Sequence, residues 1–188
     1  YVNTQAGSTF YTFNEERYLM TEEYKDVRDL AANAPYDQIY ILVNTDKYGG
    51  GAIYNYYATC VNFNIHSEYV FVHEFGHAFA FLADEYYTSS TAYNDFYPKQ
   101  YEPLEPNITT LVDFDSKWKD LIKEDTPIPT PATKEFEKKL GVFEGGGYVE
   151  KGVYRPKQDC SMKSISVDDY CTVCKRAIQR MIDYYTGK

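Results

Sequence analysis

The chain has 188 residues, of which 44% are hydrophobic and 25% are charged, and its net charge is −9 at pH 7. This composition is typical of a folded globular protein and excludes a disordered or a fibrous chain. The acidic excess disfavours nucleic acids and anionic membranes as partners, and no segment approaches the roughly 20 apolar residues that a membrane span requires.

The first half of the chain predicts two helices and two strands. Apolar residues recur at helical spacing over residues 18–34, which predicts the first helix. The run QIYILV at residues 38–43 indicates a strand that is covered on both faces. After a turn, glycines at residues 49–51 lead into AIYNYYATCV, a further strand whose entrance would admit the backbone of a ligand. The most apolar helix is expected over residues 69–80.

The second half begins with a polar, proline-rich excursion over residues 88–133, which contains a glycosylation sequon at Asn107. We expect it to pack onto a single domain of residues 1–188, because a separate unit of about 45 residues would be too small for its own core. A hairpin or loop should follow the glycines that end at residue 147. The final helix is expected to be capped by Asp168 or Asp169 and to dock through an apolar stripe.

The chemistry of the chain is concentrated in the pattern His-Glu-x-x-His at residues 73–77. On a helix, His73 and His77 lie on one face, one turn apart, and both imidazoles can bind one zinc ion. Glu74 projects about 100° around the helix from His73, where it can accept a proton from water and later deliver it to a leaving amine. The alternatives are a buried histidine pair and a structural metal, but an apolar helix disfavours the first and the second needs no such base.

A catalytic zinc ion requires a third protein ligand, for which Asp84 is preferred. On an unbroken helix Asp84 would lie about 10 Å beyond His77, so the helix must end near residue 80 or 81. Glu85, His66 and a more distant carboxylate remain alternatives.

Several segments accompany this pattern: HEFGHAFAFLADEYY, preceded by YGGGAIYN and followed by TPIPTP, GVFEGGGYVEKGVYRP, CSM and CTVCKRAI. Together they resemble the IgA peptidase family of metzincin-type zinc endopeptidases. The resemblance implies an α/β (α+β) metzincin-like catalytic domain with a twisted mixed sheet, an active-site helix and a C-terminal helix. It also implies a secreted, periplasmic or cell-surface location and a domain truncated at its N terminus.

The family's general base falls on Glu74, and its metal ligands fall on His73, His77 and Asp84. This chain departs from the wider metzincin pattern HExxHxxGxxH, because Ala80 stands in place of the glycine and Ala83 in place of the third histidine. Met162 is similar to the methionine of the turn beneath the metal in metzincins, where a thioether supplies an apolar floor. Without the resemblance, Met162 is a core residue.

The CxxC pair Cys171 and Cys174 fits a redox pair, half of a zinc site or a disulfide. Because only one CxxC occurs and no thioredoxin-like βαβ unit surrounds it, a disulfide to Cys160 or plain burial is favoured. Tyr86, beside the acids, is a candidate oxyanion donor.

The sequence therefore predicts a zinc-dependent endopeptidase with one catalytic Zn²⁺ and a protein or peptide substrate. The substrate is expected to be an extended segment that pairs with the strand after residues 49–51. Two alternatives remain: a non-catalytic zinc-containing binding or adhesin module with a relic site, and a thiol redox protein. The sequence indicates neither the natural substrate nor the oligomeric state.

Overall fold

The computed structural model describes residues 4–87 and 95–188. The chain divides into two compact units, Tyr1–Phe79 and Ala80–Lys188. The helices and strands are, in chain order, α1 (Tyr24–Ala31), β1 (Ile39–Val43), β2 (Gly50–Ile53), β3 (Tyr57–Val61), α2 (Ser67–Ala80), β4 (Phe143–Gly146), β5 (Val149–Arg155) and α3 (Thr172–Thr186).

The first unit contains a three-stranded mixed sheet in the order β1-β3-β2. The central strand β3 runs parallel to β1 and antiparallel to β2, and all five of its residues are buried. The strand predicted at residues 38–43 is confirmed as β1. Its predicted cover on both faces is wrong, because Leu42 of this edge strand is 60% exposed.

The segment AIYNYYATCV forms two strands where the sequence predicts one. β2 and β3 are joined by a turn in which Asn55 has a φ of 55°, a left-handed conformation that asparagine tolerates better than most residues. The Asn55 N–H donates a hydrogen bond of 2.8 Å to the carbonyl of Ala78 near the end of α2. The turn therefore satisfies a carbonyl that the helix end leaves without an intrahelical partner.

The glycines that open β2 contact a segment of the chain itself. The Gly50 N–H donates to the Arg17 carbonyl at 3.1 Å, and the Leu19 N–H donates to the Gly50 carbonyl at 3.0 Å. A Cβ atom on Gly51 would lie only 3.1 Å from the Leu19 carbonyl oxygen. The prediction that a ligand approaches at these glycines is therefore wrong at Gly50, where the outer edge of β2 is already paired.

The first helix is shorter than the sequence predicts. α1 begins at Tyr24, whereas the predicted helix begins at residue 18. Met20 exchanges backbone hydrogen bonds of 2.8 and 3.0 Å with Thr9, and Leu19 bonds with Gly50. Because these backbone groups have partners in distant segments, they cannot also form helical hydrogen bonds.

The helix predicted over residues 69–80 is confirmed as α2. Its Val70 and Ala78 are buried, and Phe75 stacks on Phe79 at 4.8 Å between ring centroids. The ring of Tyr40 on β1 stacks on Phe71 at 4.2 Å, and the Tyr40 hydroxyl donates to the Phe71 carbonyl at 2.7 Å. These contacts fix α2 against the sheet of the first unit.

The second unit contains the antiparallel hairpin β4–β5, which confirms the hairpin predicted after the glycines. A buried cluster forms beside it from Ala83, Ile108, Val149 and Val153. Trp118 is fully buried and donates its Nε1–H to the Gly141 carbonyl at 2.8 Å. Within the predicted excursion, residues 88–94 lie outside the described residues, and two short 3₁₀ helices follow at Phe114–Ser116 and Lys119–Leu121.

α3 ends the chain, as predicted, but Cys171 occupies its N-cap position instead of Asp168 or Asp169. Only its first two turns are buried, through Val173, Cys174 and Ala177. Arg176 donates to both carboxylate oxygens of Asp120 at 2.7 and 2.8 Å. The docking stripe is therefore confined to the start of the helix.

These elements form an α+β fold with the expected mixed sheet, central helix and C-terminal helix. The finer metzincin assignment and the single-domain organisation stay predictions. Within residues 4–87 and 95–188, no helix combines the length and the apolar character that crossing a membrane requires.

A side chain at Gly50 should destabilise the first unit. A Cβ atom there would lie 2.5 Å from Cγ1 of Val70 and 3.0 Å from the Thr59 carbonyl oxygen. We expect Gly50→Ala to lower the free energy of unfolding by about 1–3 kcal/mol, measured by urea denaturation. Gly146→Ala is the matched control, since its Cβ atom would meet nothing closer than 3.5 Å. Equal losses in the two variants would contradict the overpacking at Gly50.

Candidate metal centre

α2 places the imidazoles of His73 and His77 one helical turn apart with their Nε2 atoms facing each other. These atoms are 3.1 Å apart, and the ring planes make an angle of 84°. Tetrahedral zinc with bonds of about 2.0–2.1 Å would separate two nitrogen ligands by about 3.4 Å. The observed separation is therefore close to what a shared zinc ion requires.

The second ring nitrogen of His73 faces a tyrosine. The hydroxyl of Tyr69 lies 3.3 Å from Nδ1 of His73, within hydrogen-bond distance, and the two rings pack with centroids 5.5 Å apart. A metal-binding histidine commonly uses its second nitrogen in such a bond, which sets its tautomer and its orientation. Tyr69 therefore directs Nε2 of His73 towards His77.

Glu74 is half-buried, and its carboxylate lies beside Gly50 of β2. Its Oε1 atom is 3.1 Å from the point that a Cβ atom on Gly50 would occupy, so the glycine leaves room for the carboxylate. Burial, together with a smaller effect of the negative charge of Glu74, raises the pKa of the Cys60 thiol to about 11. Cys60 is therefore a neutral thiol at pH 7 and does not compete with Glu74 as a base.

The chain leaves the helix soon after His77. α2 ends at Ala80, and Phe81 has a φ of 54°, which is incompatible with a continued right-handed helix. This confirms the helix end predicted near residue 80 or 81. Asp84 therefore follows the end of the helix by only four residues.

The turn between β4 and β5 holds Asp84. The Tyr148 hydroxyl donates a hydrogen bond to Oδ2 of the buried Asp84 carboxylate. The Gly147 N–H donates to the Asp84 carbonyl at 2.8 Å. Both turn residues have positive φ angles, 57° at Gly147 and 65° at Tyr148, so the tight turn presents the N–H and the hydroxyl together. Such partners orient a carboxylate that serves as a metal ligand.

Glu85 and His66, the other candidates for the third ligand, make contacts of their own. Glu85 is fully buried, and its Oε1 lies 3.5 Å from Sγ of Cys174 and accepts a hydrogen bond of 3.0 Å from Asn107. His66 precedes α2, and its N–H donates to Oδ1 of Asn64 at 3.0 Å. Glu85 thus contacts Cys174 and Asn107, and Asp84 stays the predicted third ligand.

The donor set fits zinc. Two imidazole nitrogens and one carboxylate oxygen are ligands that zinc takes in catalytic sites, where three protein ligands leave one position for water or substrate. A carboxylate in such a set also offers hydrogen-bond acceptors to its neighbours, as Asp84 does to Tyr148.

A family model described as IgA Peptidase M64 matches residues 1–139 and 132–182. The chain belongs to the IgA Peptidase M64 family. M64 membership confirms the resemblance seen in the sequence and supports a metallopeptidase that acts on protein. No curated protein matches the chain.

Met162 of this M64 chain lies in a buried turn. The N–H groups of Lys163 and Ser164 bond to the Cys160 carbonyl at 2.8 and 3.0 Å, and the Met162 side chain is fully buried. The Met162 carbonyl accepts a hydrogen bond of 2.8 Å from the Glu85 N–H. The turn is present, and its position beneath a metal stays a prediction.

Tyr86 packs its ring edge-on against Tyr148, with centroids 5.2 Å apart. Its backbone carbonyl accepts a hydrogen bond of 2.9 Å from the Tyr148 N–H. These contacts attach Tyr86 to the turn that holds Asp84. They do not test the oxyanion role, which stays a prediction.

The four cysteines of the M64 chain are buried and free. Sγ of Cys174 lies 3.9 Å from Sγ of Cys160 and 3.5 Å from Sγ of Cys171. A disulfide bond would require about 2.05 Å. The favoured disulfide to Cys160 is therefore absent, and the alternative of plain burial agrees with the structure.

Asn107 is a structural residue that the sequence did not single out for this role. Its Oδ1 accepts a hydrogen bond of 2.7 Å from the Ala83 N–H, and its Nδ2 donates to the Ala83 carbonyl at 2.8 Å. The side chain thus fixes the backbone just before Asp84. Asn107 is fully buried, so its sequon is inaccessible to glycosylation in the folded chain. Only the fold reveals this role, because the partners are distant in sequence.

Proposed function

We propose that the chain is a zinc-dependent endopeptidase, with the metal held by His73, His77 and Asp84 and with Glu74 as the general base. The observation that carries the proposal is the pair of Nε2 atoms of His73 and His77, which lie 3.1 Å apart, with a carboxylate on the helix residue next to His73. Membership of the M64 family supports the same reaction class independently.

A bound zinc ion would supply Lewis acidity, polarising the substrate carbonyl and lowering the pKa of a water ligand to about 7. The three ligands suit this chemistry. Asp84 is the only anionic ligand among them, so a bound divalent ion would keep a net positive charge. Tyr69 and Tyr148 orient His73 and Asp84 through their hydroxyl groups.

Glu74 moves the protons of the reaction. Its carboxylate accepts a proton from the attacking water as the water oxygen bonds to the peptide carbonyl carbon. The protonated Glu74 then donates this proton to the amide nitrogen as the carbon–nitrogen bond breaks. The products are a new carboxylic acid, which keeps the second proton of the water until it ionises to solvent, and a new amine, and Glu74 returns to its starting charge.

The proposed substrate is an extended segment of a protein. Pairing of this segment with β2 at Gly50 is not part of the proposal, because Arg17 and Leu19 already bond there. A secreted, periplasmic or cell-surface location is part of the proposal and rests on the resemblance to IgA peptidases alone. The specificity does not follow from a shared metal site, so the proposal extends to the protein class of substrate alone.

The test is cleavage of a broad peptide library by the full, zinc-loaded chain, with products identified by mass spectrometry. We expect cuts at internal peptide bonds, their loss after treatment with a chelator, and their return when Zn²⁺ is added. His77→Ala, purified in the same way, is the control for a contaminating peptidase. Undiminished cleavage in chelator, or by His77→Ala, would contradict the proposal.

The two other functions predict different results. A relic binding module would bind zinc and cleave no peptide in the library. A thiol redox protein needs a reactive cysteine that is partly exposed, whereas Cys171 is 4% exposed and Cys174 is fully buried. The redox function is therefore disfavoured in the folded chain.

A further inference from the structure

A second group of metal-ligating side chains lies entirely within the unit Ala80–Lys188. One possible ligand atom from each of Glu85, Cys160, Cys171 and Cys174 lies within 4.8 Å of the others. All four side chains are buried, with exposed fractions of 4% or less. The proposed peptidase reaction uses none of them.

The distances within this cysteine cluster match those around tetrahedral zinc. Zinc–sulfur bonds of about 2.3 Å place two sulfur ligands about 3.8 Å apart, and a sulfur and an oxygen ligand about 3.5 Å apart. Sγ of Cys174 lies 3.9 Å from Sγ of Cys160 and 3.5 Å from Sγ of Cys171. Oε1 of Glu85 lies 3.5 Å from Sγ of Cys174. These separations are far longer than the bond of a disulfide.

The surroundings of the cluster also favour a cation. The Cys171 N–H donates to Sγ of Cys160 at 3.2 Å, and Asn107 donates to Oε1 of Glu85 at 3.0 Å. Such bonds orient metal ligands and offset their negative charge. Within the described chain, Oε2 of Glu85 is buried and has no hydrogen-bond partner. A buried carboxylate oxygen left in this way is costly unless a cation or a donor meets it.

We propose that Glu85, Cys160, Cys171 and Cys174 bind a second zinc ion with a structural role. Four protein ligands complete a tetrahedral site and leave no position for water, which is typical of structural zinc. Three thiolates and one carboxylate carry the same formal charge as the four thiolates of a Cys₄ site. The proposal does not depend on the peptidase activity.

The site would join three segments of the second unit. Glu85 follows Asp84 directly, Cys160 opens the turn that contains Met162, and Cys171 and Cys174 lie at the start of α3. The Glu85 N–H already bonds to the Met162 carbonyl at 2.8 Å. Zinc binding would add its free energy to folding and hold the backbone beside Asp84 in place.

The test is the metal content of the full chain, purified without chelators and measured by elemental analysis. We expect about two zinc ions per wild-type chain, one in the double variant His73→Ala/His77→Ala and one in Cys174→Ser. Cys60→Ser is the matched control, because Cys60 is also buried but lies outside the cluster, and it should keep both ions. Cobalt replacing zinc in the double histidine variant should give a thiolate-to-cobalt charge-transfer band.

The double histidine variant leaves the cysteine cluster intact. It therefore tests whether the cluster binds zinc even if Cys174→Ser fails to fold. A folded double variant that retains no zinc and shows no charge-transfer band would overturn the proposal. So would a disulfide among the three cluster cysteines, found by mass spectrometry of the unreduced, alkylated chain. A wild-type chain with one zinc ion, and the same content in the double histidine variant, would instead contradict the peptidase site and leave the cluster site standing.

Discussion

Replacing Glu74 with glutamine should lower the rate of peptide cleavage by about 10²–10⁴-fold while zinc stays bound. Glutamine has nearly the same shape as glutamate, but its amide cannot accept a proton from the attacking water. His73, His77 and Asp84 are unchanged, so the metal content should equal that of the parent. The measurements are kcat on a peptide cut by the parent and the zinc content of each protein.

Glu68→Gln is the matched control for this variant. Glu68 lies on the same helix α2, but its side chain is exposed. We expect parental kcat and parental zinc content for the control. A Glu74→Gln variant that cuts as fast as the parent would show that Glu74 is not the base, whereas loss of zinc would assign it a role in metal binding.

Replacing Asp84 with alanine should weaken zinc binding at the peptidase site by more than about 100-fold, because it removes one of three proposed ligands. Removal of a group that only orients a ligand typically costs 10–100-fold in metal affinity or activity. Tyr148→Phe removes the hydroxyl that donates to Asp84, so we expect about 10–100-fold weaker binding for this variant. Both affinities are measured by titration with a competing chelator, in parallel with kcat and KM.

Tyr154→Phe is the control for the loss of a tyrosine hydroxyl from the same hairpin, since Tyr154 lies on β5. It should keep the parental zinc affinity. If Asp84→Ala also kept it, the third ligand would be another residue, and Glu85→Ala and His66→Ala would then be compared. If Tyr148→Phe bound zinc as the parent does, the hydroxyl would not orient the ligand.

Helical spacing was sufficient to predict α2 and to place His73 and His77 on one face. The reason is that both properties arise within a single turn of backbone, independently of the rest of the chain. The end of the helix near residue 80 followed from a chemical requirement, because an unbroken helix would carry Asp84 too far from His77. The choice between Asp84 and Glu85 is not settled by spacing, because the two are neighbours in the chain.

The prediction of the first helix was wrong because the hydrogen-bond partners of its residues are distant in sequence. Nothing local to residues 18–20 indicates that they bond to Thr9 and Gly50 instead of continuing a helix. The structural role of Asn107 could not be predicted for the same reason, since its hydrogen-bond partners Ala83 and Glu85 lie in another segment. Backbone and side-chain hydrogen bonds of this kind depend on which segments meet after folding.

The cysteine cluster shows the same division between local and long-range information. The CxxC spacing at Cys171 and Cys174 indicated half of a zinc site as one of three possibilities, but it did not identify the missing ligands. Folding brings Cys160 and Glu85 to that pair, although Glu85 lies more than 70 residues earlier in the chain. The pattern of residues 73–77 thus determined the class of chemistry, because it is contained in one helix. The remaining ligands and their supporting groups depended on contacts between separate segments, which form only in the folded chain.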